Sequence, residues 1–395
     1  MIRVAALFFG LSFALTPVRA ANQVVIGYVD IVGDPRHENR MGFASIPLEI
    51  RGRPYEGAAL AIDDGVMIGR AVGIEFQLAV ARAKTPESDA FLGEVRKLRT
   101  ERGARFILAD APAEVLAPVA RALQGAGLLL FNVSAEDDAL RGRDCAAHLL
   151  HLVPSTAMRT DALLQYIVAR KWRDILVLEG PSSRDGNFVS AFERSTRRFG
   201  AKIVAKRRFV VGSDPRDRDQ NNLALLTGGV SYDVVFVADE SLELARFLPY
   251  QTLSPRPVIG SAGLTAEAWH WTWDRDGGPN LSRRFRRLAS RPMRGEDWAA
   301  WIGVKAIIEA VLRTRSTDFA TIAATLSAGD FRFDGSKGQA LSFRSWDNQL
   351  RQPIQLATQD AVIAQAPLPQ FLHARENLDT LGDDRSDSMC VLSRV

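Results

Sequence analysis

Residues 172–210 read WRDILVLEGPSSRDGNFVSAFERSTRRFGAKIVAKRRFV, a succession that predicts a strand, a polar loop, a helix and a second strand. Ile175–Leu178 is a short apolar run, as expected of a strand that is buried on both faces. The polar loop Gly180–Gly186 opens the helix, and Gly200 stands where a helix ends in a left-handed turn. Such a βαβ unit places its loop at the carboxyl end of a parallel strand, where open α/β sheets bind their ligands.

The same alternation extends on both sides of this stretch. Strands and helices alternate over residues 24–153 and again over 154–260, which predicts two α/β units with parallel sheets and right-handed crossovers. In the second unit the pattern predicts helices over 219–227 and 241–248. The polar segment 33–54 follows the first strand without a regular pattern, and loops of that length are typical of functional or mobile regions.

The pattern changes after residue 265, where helical segments and then short strands follow. A chain of 395 residues exceeds one ordinary domain. We therefore predict an α/β protein with two Rossmann-like lobes joined by three crossovers. Lobe 1 comprises residues 21–153 and about 275–344, and lobe 2 comprises 154–274 and about 345–395 with the C-terminal tail.

The first twenty residues predict a secretory signal peptide. Arg3 supplies a positive start, Val4–Leu15 is apolar, and Val18-Arg19-Ala20 resembles a small-residue cleavage site. The apolar run is shorter than the roughly 20 residues that span a bilayer. We expect cleavage after Ala20 or Ala21 and export to the periplasm.

The charge balance of the exported chain is weakly basic. Loss of Arg3 and Arg19 leaves 48 basic against 46 acidic residues, which lowers the net charge from +4 to +2. The arginine run at 283–287 is read as a solvated helix face, with a nucleic-acid patch as the less favoured alternative. We expect no nucleic-acid partner.

Two cysteines, Cys145 and Cys390, are present. An even pair in an oxidising compartment predicts a disulfide, and two free thiols are the alternative. No cysteine or histidine partners stand at ligand spacing, so we predict neither a metal nor a cofactor. None of the five histidines lies in a nucleophile-elbow or zincin motif, which argues against an enzyme.

Two segments carry a resemblance to a known family. Tyr55-Glu56-Gly57-Ala58 opens the first helix, and Phe199-Gly200-Ala201-Lys202-Ile203 joins a helix to a strand. Together with the signal peptide they resemble the branched-chain amino acid-binding branch of type I periplasmic binding proteins, over the whole mature chain. The resemblance implies a clamshell that closes on a solute and docks on a permease.

Further segments are distinctive: Asp144-Cys145, Trp269-His270-Trp271, Asp297-Trp298-Ala299-Ala300-Trp301, Leu350-Arg351-Gln352-Pro353-Ile354, Phe371-Leu372-His373 and Leu378-Asp379-Thr380-Leu381-Gly382. They are similar to the solute-binding proteins of ABC transporters linked to pyrroloquinoline quinone-dependent alcohol oxidation. That link associates systems and names no ligand.

The resemblance implies which loops hold the solute. In amino acid binders a first-lobe loop rich in hydroxyls holds the ligand carboxylate, whereas the matching loop here, 109–113, offers an aspartate and a proline. A carboxylate at that position repels a ligand carboxylate, so we predict that the solute is not a generic amino acid. The predicted ligand-binding residues are Asp110, Ala111, Ser134, Arg184, Asp185, Asp239, Ser261 and Trp269. Their three aspartates favour a cationic, polyhydroxylated or metal-bearing solute, and Arg184 favours an anionic group.

Several of these residues have structural alternatives. Asp110 and Asp185 each precede a predicted helix and suit an N-cap. Arg184 suits a surface charge, and the cluster Trp269–Trp273 suits packing between the lobes. Asp34, His37 and Glu38 suggest a metal site, but they lack a calcium-loop spacing, so a solvated loop is favoured.

We predict a monomeric periplasmic protein that captures a small molecule between two lobes and delivers it to an ABC permease in the inner membrane. The alternative is a periplasmic sensor, or a carrier of cofactor or metal for the alcohol oxidation system, without a direct role in transport.

Overall fold

A computed structural model describes residues 22–42, 45–212 and 220–392 of the chain. The predicted signal peptide, residues 1–20, lies outside the described residues, as does residue 219 of a predicted helix.

The first part of the described chain builds a five-stranded sheet. Its elements are β1 (Asn22–Ile31), β2 (Arg40–Gly42), β3 (Ile46–Glu49), α1 (Tyr55–Ala71), β4 (Ile74–Ala83), α2 (Ser88–Arg102), β5 (Phe106–Ala109), α3 (Ala113–Ala122), β6 (Leu129–Asn132) and β7 (Leu149–His151). The sheet has the strand order β4-β1-β5-β6-β7, and all its pairs are parallel. Strands β2 and β3 form a separate antiparallel hairpin within the polar segment 33–54.

The second part builds a four-stranded sheet. Its elements are α4 (Thr156–Ala169), β8 (Asp174–Glu179), α5 (Ser183–Phe199), β9 (Lys202–Arg208), α6 (Leu223–Thr227), β10 (Val234–Ala238), α7 (Leu248–Gln251) and β11 (Val258–Gly260). The strand order is β11-β10-β8-β9, again with parallel pairs. The two parallel sheets confirm the predicted α/β fold class.

The remaining elements complete both halves. They are β12 (Thr265–Glu267), α8 (Gly278–Ala289), α9 (Gly295–Thr314), α10 (Phe319–Ser327), β13 (Phe333–Asp334), β14 (Ala340–Phe343), β15 (Leu350–Arg351), β16 (Ile354–Ala357) and β17 (Val362–Ala366). Strands β12, β16 and β17 form one antiparallel sheet, and β13, β14 and β15 form another.

Strand β8 shows why the opening stretch folds as it does. Ile175 and Val177 belong to a core shared with α4 and α5, whereas Leu176 and Leu178 belong to a core on the other face of the sheet. Because successive side chains of a strand point to opposite faces, a continuous apolar run is needed to fill both cores. Gly200 adopts the predicted left-handed conformation at the end of α5, with a φ of 68°.

The core changes from one sheet to the other at three places along the chain. Residues up to Val153 pack on the first sheet and those from Met158 on the second. The chain returns between Ala266 and Ala268, and crosses again after Leu350. The division into two lobes with the predicted boundaries stays a proposal, to which these crossings lend support.

The predicted disulfide is confirmed. Cys145 and Cys390 are bonded, with their Cα atoms 5.7 Å apart across a sequence separation of 245 residues. Upstream of Cys390, the buried carboxylate of Asp379 accepts hydrogen bonds from Arg344 at 2.9 Å and Arg351 at 2.7 Å. The tail is therefore attached at two places.

The predicted helix over 241–248 is wrong. The structure has turns up to Phe247 and a short helix, α7, from Leu248. The reason is Asp239, whose buried carboxylate accepts backbone N–H groups of the following residues and holds them in a turn.

Candidate functional site

The polar residues that end the parallel strands define the candidate site. In the first sheet, Asp34, Asp110 and Ser134 follow β1, β5 and β6. In the second half, Arg184 and Asp185 lie in the first turn of α5, which follows β8, and Asp239 and Ser261 follow β10 and β11. Ligands of open α/β sheets bind at such strand ends.

Asp110 is fully buried and surrounded by donors. The hydroxyl of Tyr28 donates to its Oδ2 at 3.0 Å, and Nε2 of His37 lies 2.8 Å from the same oxygen. Nη2 of Arg36 lies 3.3 Å from its Oδ1. The N-cap of α3 is Pro112. The alternative that Asp110 caps this helix is therefore wrong.

Arg36 joins the strand ends of the first sheet. Its Nη1 donates to Oγ of Ser134 at 2.9 Å, while Nε donates to Oδ2 of Asp34 at 2.9 Å. Asp34 also accepts the backbone N–H of Arg36, which starts a turn of 3₁₀ helix over Pro35–His37. One guanidinium thus bonds two carboxylates and a hydroxyl, each from a different strand end.

The charges of this cluster stabilise each other. Burial alone would raise the pKa of Asp110, but the hydrogen bond from His37 and the charge of Arg36 outweigh it and hold that pKa well below its usual range. Burial disfavours the His37 imidazolium, yet the hydrogen bond to Asp110 and its charge raise the pKa of His37. The carboxylate and the imidazolium therefore favour each other's charged forms.

A second buried ion pair lies beside this cluster. Asp30 in β1 is fully buried and pairs with Arg53, from the end of segment 33–54. Burial raises the pKa of Asp30 to about 6, even though Arg53 opposes the shift. The segment 33–54 is thus attached to the first sheet by arginines at both of its ends.

Asp185 has a structural role at the start of α5. Its Oδ2 accepts the backbone N–H of Ser182, and Oγ of Ser182 accepts the N–H of Asp185, which makes a capping box. Its Oδ1 accepts the N–H of Glu240 at 2.7 Å. Arg184 is more than half exposed and pairs with Glu240 at 2.6 Å. Capping and a surface ion pair account for both predicted residues.

Asp239 and Ser261 are also engaged within the protein. Oγ of Ser261 accepts the backbone N–H of Asp239 at 3.0 Å. Both carboxylate oxygens of Asp239 accept backbone donors of the next turn. These donors are the N–H groups of Ser241, Leu242, Leu244 and Ala245.

Trp269 and Ala111 lie in the core. The Trp269 side chain is 1% exposed and its ring stacks on that of Trp298, with the centroids 6.3 Å apart. Ala111 is fully buried among the residues of α2 and α3. Packing accounts for the burial of both residues, and their role in ligand binding stays a prediction.

A group of half-buried charges that the sequence reading missed comes from both halves of the chain. Glu136 follows β6 and pairs with Arg159 in α4, and Nε of Arg159 donates to the carbonyl oxygen of Ala266 at 2.8 Å. Glu267 at the end of β12 and Glu296 in the first turn of α9 interact electrostatically with the same arginine. Burial raises the pKa of Glu136 and of Glu267. We call Glu136, Arg159, Glu267 and Glu296 the charged gap.

The segment 33–54 also approaches the second half of the molecule. A guanidinium nitrogen of Arg246 lies 3.2 Å from the position that a Cβ would take on Gly42 in β2. Arg246 follows β10 along the chain, so this contact joins the segment 33–54 to the second half. The position of Glu136 two residues after Ser134 was the sequence signal for the charged gap; nothing in the sequence indicated Arg36.

Neither a metal site nor a membrane span is found in the part of the chain that the structure describes. Within residues 22–42, 45–212 and 220–392, no three His, Cys, Asp or Glu side chains are grouped to hold a metal ion, including those near His37. No helix in those ranges has the length and apolarity to cross a membrane.

Comparison with known proteins gives matches among solved structures. No family model matches the chain, and no curated protein matches it. A branched chain amino acid ABC transporter periplasmic ligand-binding protein from Burkholderia xenovorans LB400 has a TM-score of 0.72 at 14% identity, over 94% of this chain and 100% of that one.

Two further solved structures are similar in complex with ligands. The branched-chain amino acid transporter substrate binding protein LivJ from Streptococcus pneumoniae, in complex with isoleucine, has a TM-score of 0.61 at 15% identity, over 87% of this chain and 99% of that one. An ABC transporter solute binding protein from R. palustris, in complex with benzoate, has a TM-score of 0.62 at 11% identity, over 94% of this chain and 100% of that one.

These similarities define the class of fold. The chain has the type I periplasmic binding protein fold, with its two parallel sheets and their crossovers. The solved relatives are ABC transporter proteins that bind small ligands.

Proposed function

We propose that the chain is the periplasmic solute-binding component of an ABC importer and takes its solute between the two sheets. The observation that carries the proposal is the charged gap. The side chains of Glu136 and Glu296 are 35% and 38% exposed, although residues from both halves of the chain surround them. Charged groups from both halves of the chain that stay partly accessible suit a polar solute.

The loops of the first sheet argue against a branched-chain amino acid. Asp110 is ionised there, since its pKa is lowered, and it engages Arg36 and His37, which are therefore not free to hold a ligand carboxylate. Ser134, the nearby hydroxyl, already accepts a hydrogen bond from Arg36. We infer that the solute differs from the isoleucine bound by the Streptococcus pneumoniae relative.

The link to pyrroloquinoline quinone-dependent alcohol oxidation is part of this proposal, and it rests on the sequence segments alone. In the structure those segments carry scaffold residues: Cys145 of the disulfide, Trp269 and Trp298 of the core stack, and Asp379 of the tail anchor. They support a relationship to that group of binding proteins and do not identify the solute.

A thermal-shift screen of the purified mature protein tests the proposal. The panel holds short alcohols, their acids, aromatic acids, pyrroloquinoline quinone, amino acids, and calcium and lanthanide ions. A solute that binds only the folded state at 100 times its Kd adds about 2.7 kcal/mol to the free energy of unfolding. We expect such a shift from a polar panel member and none from leucine or isoleucine, and a leucine shift would contradict the inferred ligand class.

Paired variants locate the binding site. Glu267→Gln removes a charge from the gap with little change in shape, and we expect it to change the Kd of the panel hit about tenfold or more, as loss of a charged hydrogen bond does. Glu101→Gln makes the same chemical change on the exposed surface of α2 and is the control. Equal affinities in the two variants would exclude the charged gap as the site.

A further inference from the structure

The side chain of Arg36 fills a small polar pocket in the protein. The pocket is made by Asp34, Asp110 and Ser134, which follow three neighbouring strands of the first sheet. Both aspartates are buried: Asp110 is 0% exposed and Asp34 is 8% exposed. The guanidinium comes from residues 35–42, which we call the strap, and which leaves the sheet after Asp34.

The pocket matches the donors of a guanidinium group. Nε and Nη2 of Arg36 donate to Asp34 at 2.9 and 2.5 Å, Nη2 approaches Asp110 at 3.3 Å, and Nη1 donates to Ser134 at 2.9 Å. A guanidinium is planar and presents five N–H donors in a fixed fork. Four oxygens accept from this group, two of Asp34, one of Asp110 and one of Ser134, and carboxylate oxygens are complementary to that fork.

The strap is attached to the protein mainly by polar contacts. None of its residues is buried, and none belongs to the hydrophobic cores. Besides Arg36, its contact with the pocket is His37, which lies on the second oxygen of Asp110. Segments with few buried apolar contacts open at lower free energy than the core.

We propose that the pocket of Asp34, Asp110 and Ser134 is a subsite for a guanidinium or amidinium group of the solute, which Arg36 occupies as a tethered stand-in until the strap moves. This inference rests on the proposed solute-binding function and names a class of solute for it. When the strap moves, a cationic solute would take over the charge compensation of the two buried carboxylates that Arg36 now provides.

Competition with a tethered group sets the expected affinities. A group on a short tether acts at an effective concentration of millimolar or more, so a free guanidinium compound competes poorly in the wild-type protein. Removal of the Arg36 side chain should strengthen binding of a free guanidinium by about 10²-fold or more.

The test uses methylguanidinium chloride as the probe in thermal-shift and calorimetric titrations. Trimethylammonium chloride and sodium chloride at equal ionic strength report effects of charge alone. We expect saturable binding to Arg36→Ala, much weaker binding to the wild type, and none to Arg36→Ala/Asp110→Asn. Arg36→Gln, which keeps an amide donor toward the pocket, replaces Arg36→Ala if the latter does not fold.

Arg53→Ala is the matched control, because it also takes the closer arginine from a buried carboxylate, Asp30, which keeps only Arg82 at 3.6 Å. Equal binding of the probe to Arg53→Ala would mean general charge compensation and would overturn the proposal. So would absence of binding to Arg36→Ala, or binding that survives Asp110→Asn.

Hydrogen–deuterium exchange of the wild type tests movement of the strap. At saturating methylguanidinium the amides of residues 36–42 should exchange faster, while those of β1 stay protected. If the hydrogen exchange of the strap does not change, Arg36 is a permanent part of the site. That result would refute its replacement by a guanidinium group of the solute. A panel solute without a guanidinium-like cation that binds in the charged gap would refute this inference and leave the proposed transport function standing.

Discussion

Three buried aspartates at strand ends of this protein have different partners. Asp239 accepts backbone N–H groups of its own turn, Asp185 caps α5, and Asp110 pairs with side chains of the strap. In the sequence each is an aspartate that follows an apolar strand. Of the three, only Asp110 has side chains of the strap as partners, so a mutation in the strap can remove them.

The pair of His37 and Asp110 predicts a pH-dependent stability. The folded pKa of His37 is raised, so its contribution is complete below the unfolded value of about 6.5 and is lost as the pH rises through the folded value. Asp110 has a lowered pKa, so its contribution is present above about 3.9 and is lost only in strong acid.

We therefore expect His37→Gln to destabilise the protein by about 1–3 kcal/mol near pH 5.5 and by much less near pH 9. Urea unfolding of wild type and variant across this pH range measures the difference. Asp110→Asn should remove the pH dependence of that difference. If the free energies of unfolding of wild type and His37→Gln differ by the same amount from pH 5.5 to 9, the imidazolium does not stabilise the strap.

At the scale of elements, the start of α5 depends on Asp185. Asp185→Ala removes one half of the capping box and the acceptor for the N–H of Glu240. We expect a loss of about 1–2 kcal/mol in the free energy of unfolding, as for other helix caps, with the affinity for the panel hit unchanged. Ser183→Ala, at the exposed neighbouring position, should change stability by less than about 0.5 kcal/mol. Loss of solute binding in Asp185→Ala with stability retained would restore this residue as a ligand contact.

Close packing of α1 against α9 depends on Gly57. A Cβ at this position would lie 2.0 Å from the backbone carbonyl oxygen of Asp297, so the helices would have to separate. We expect Gly57→Ala to cost about 1–3 kcal/mol or more, as overpacking does. The control is Gly93→Ala in α2, where a Cβ meets no atom within 4 Å and helix propensity favours alanine by up to about 1 kcal/mol. Equal melting temperatures for the two variants would contradict the close approach.

At the scale of the whole molecule, the disulfide joins the end of the chain to the first half. Cys145→Ser/Cys390→Ser should lower the free energy of unfolding by about 2–5 kcal/mol, since a long loop is released in the unfolded state. Because Asp379 still anchors the preceding residues, we expect faster hydrogen exchange only from about Asp383 onward. Exchange that rises throughout the second half would show that the bridge also orients the two sheets.

The order of strands and helices was predictable because it follows from local patterns. Ile175–Leu178 is apolar throughout since both faces of β8 are buried, and Gly200 ends α5 since its conformation suits glycine. The helix over 241–248 was predicted wrongly because the carboxylate of Asp239 competes for backbone donors that a helix would use. Side-chain competition of this kind does not show in a hydrophobic pattern.

The sequence by itself determined two parallel α/β halves, a disulfide between its two cysteines, and the strand ends at which polar residues gather. Only the tertiary structure decided which of those residues contact each other. Arg36 and Asp110 are 74 positions apart, and Glu136 and Arg159 come from different halves. Their contacts depend on the path of the strap and on how the two sheets face each other. Local patterns carry no information about either, because both follow from packing over the whole chain.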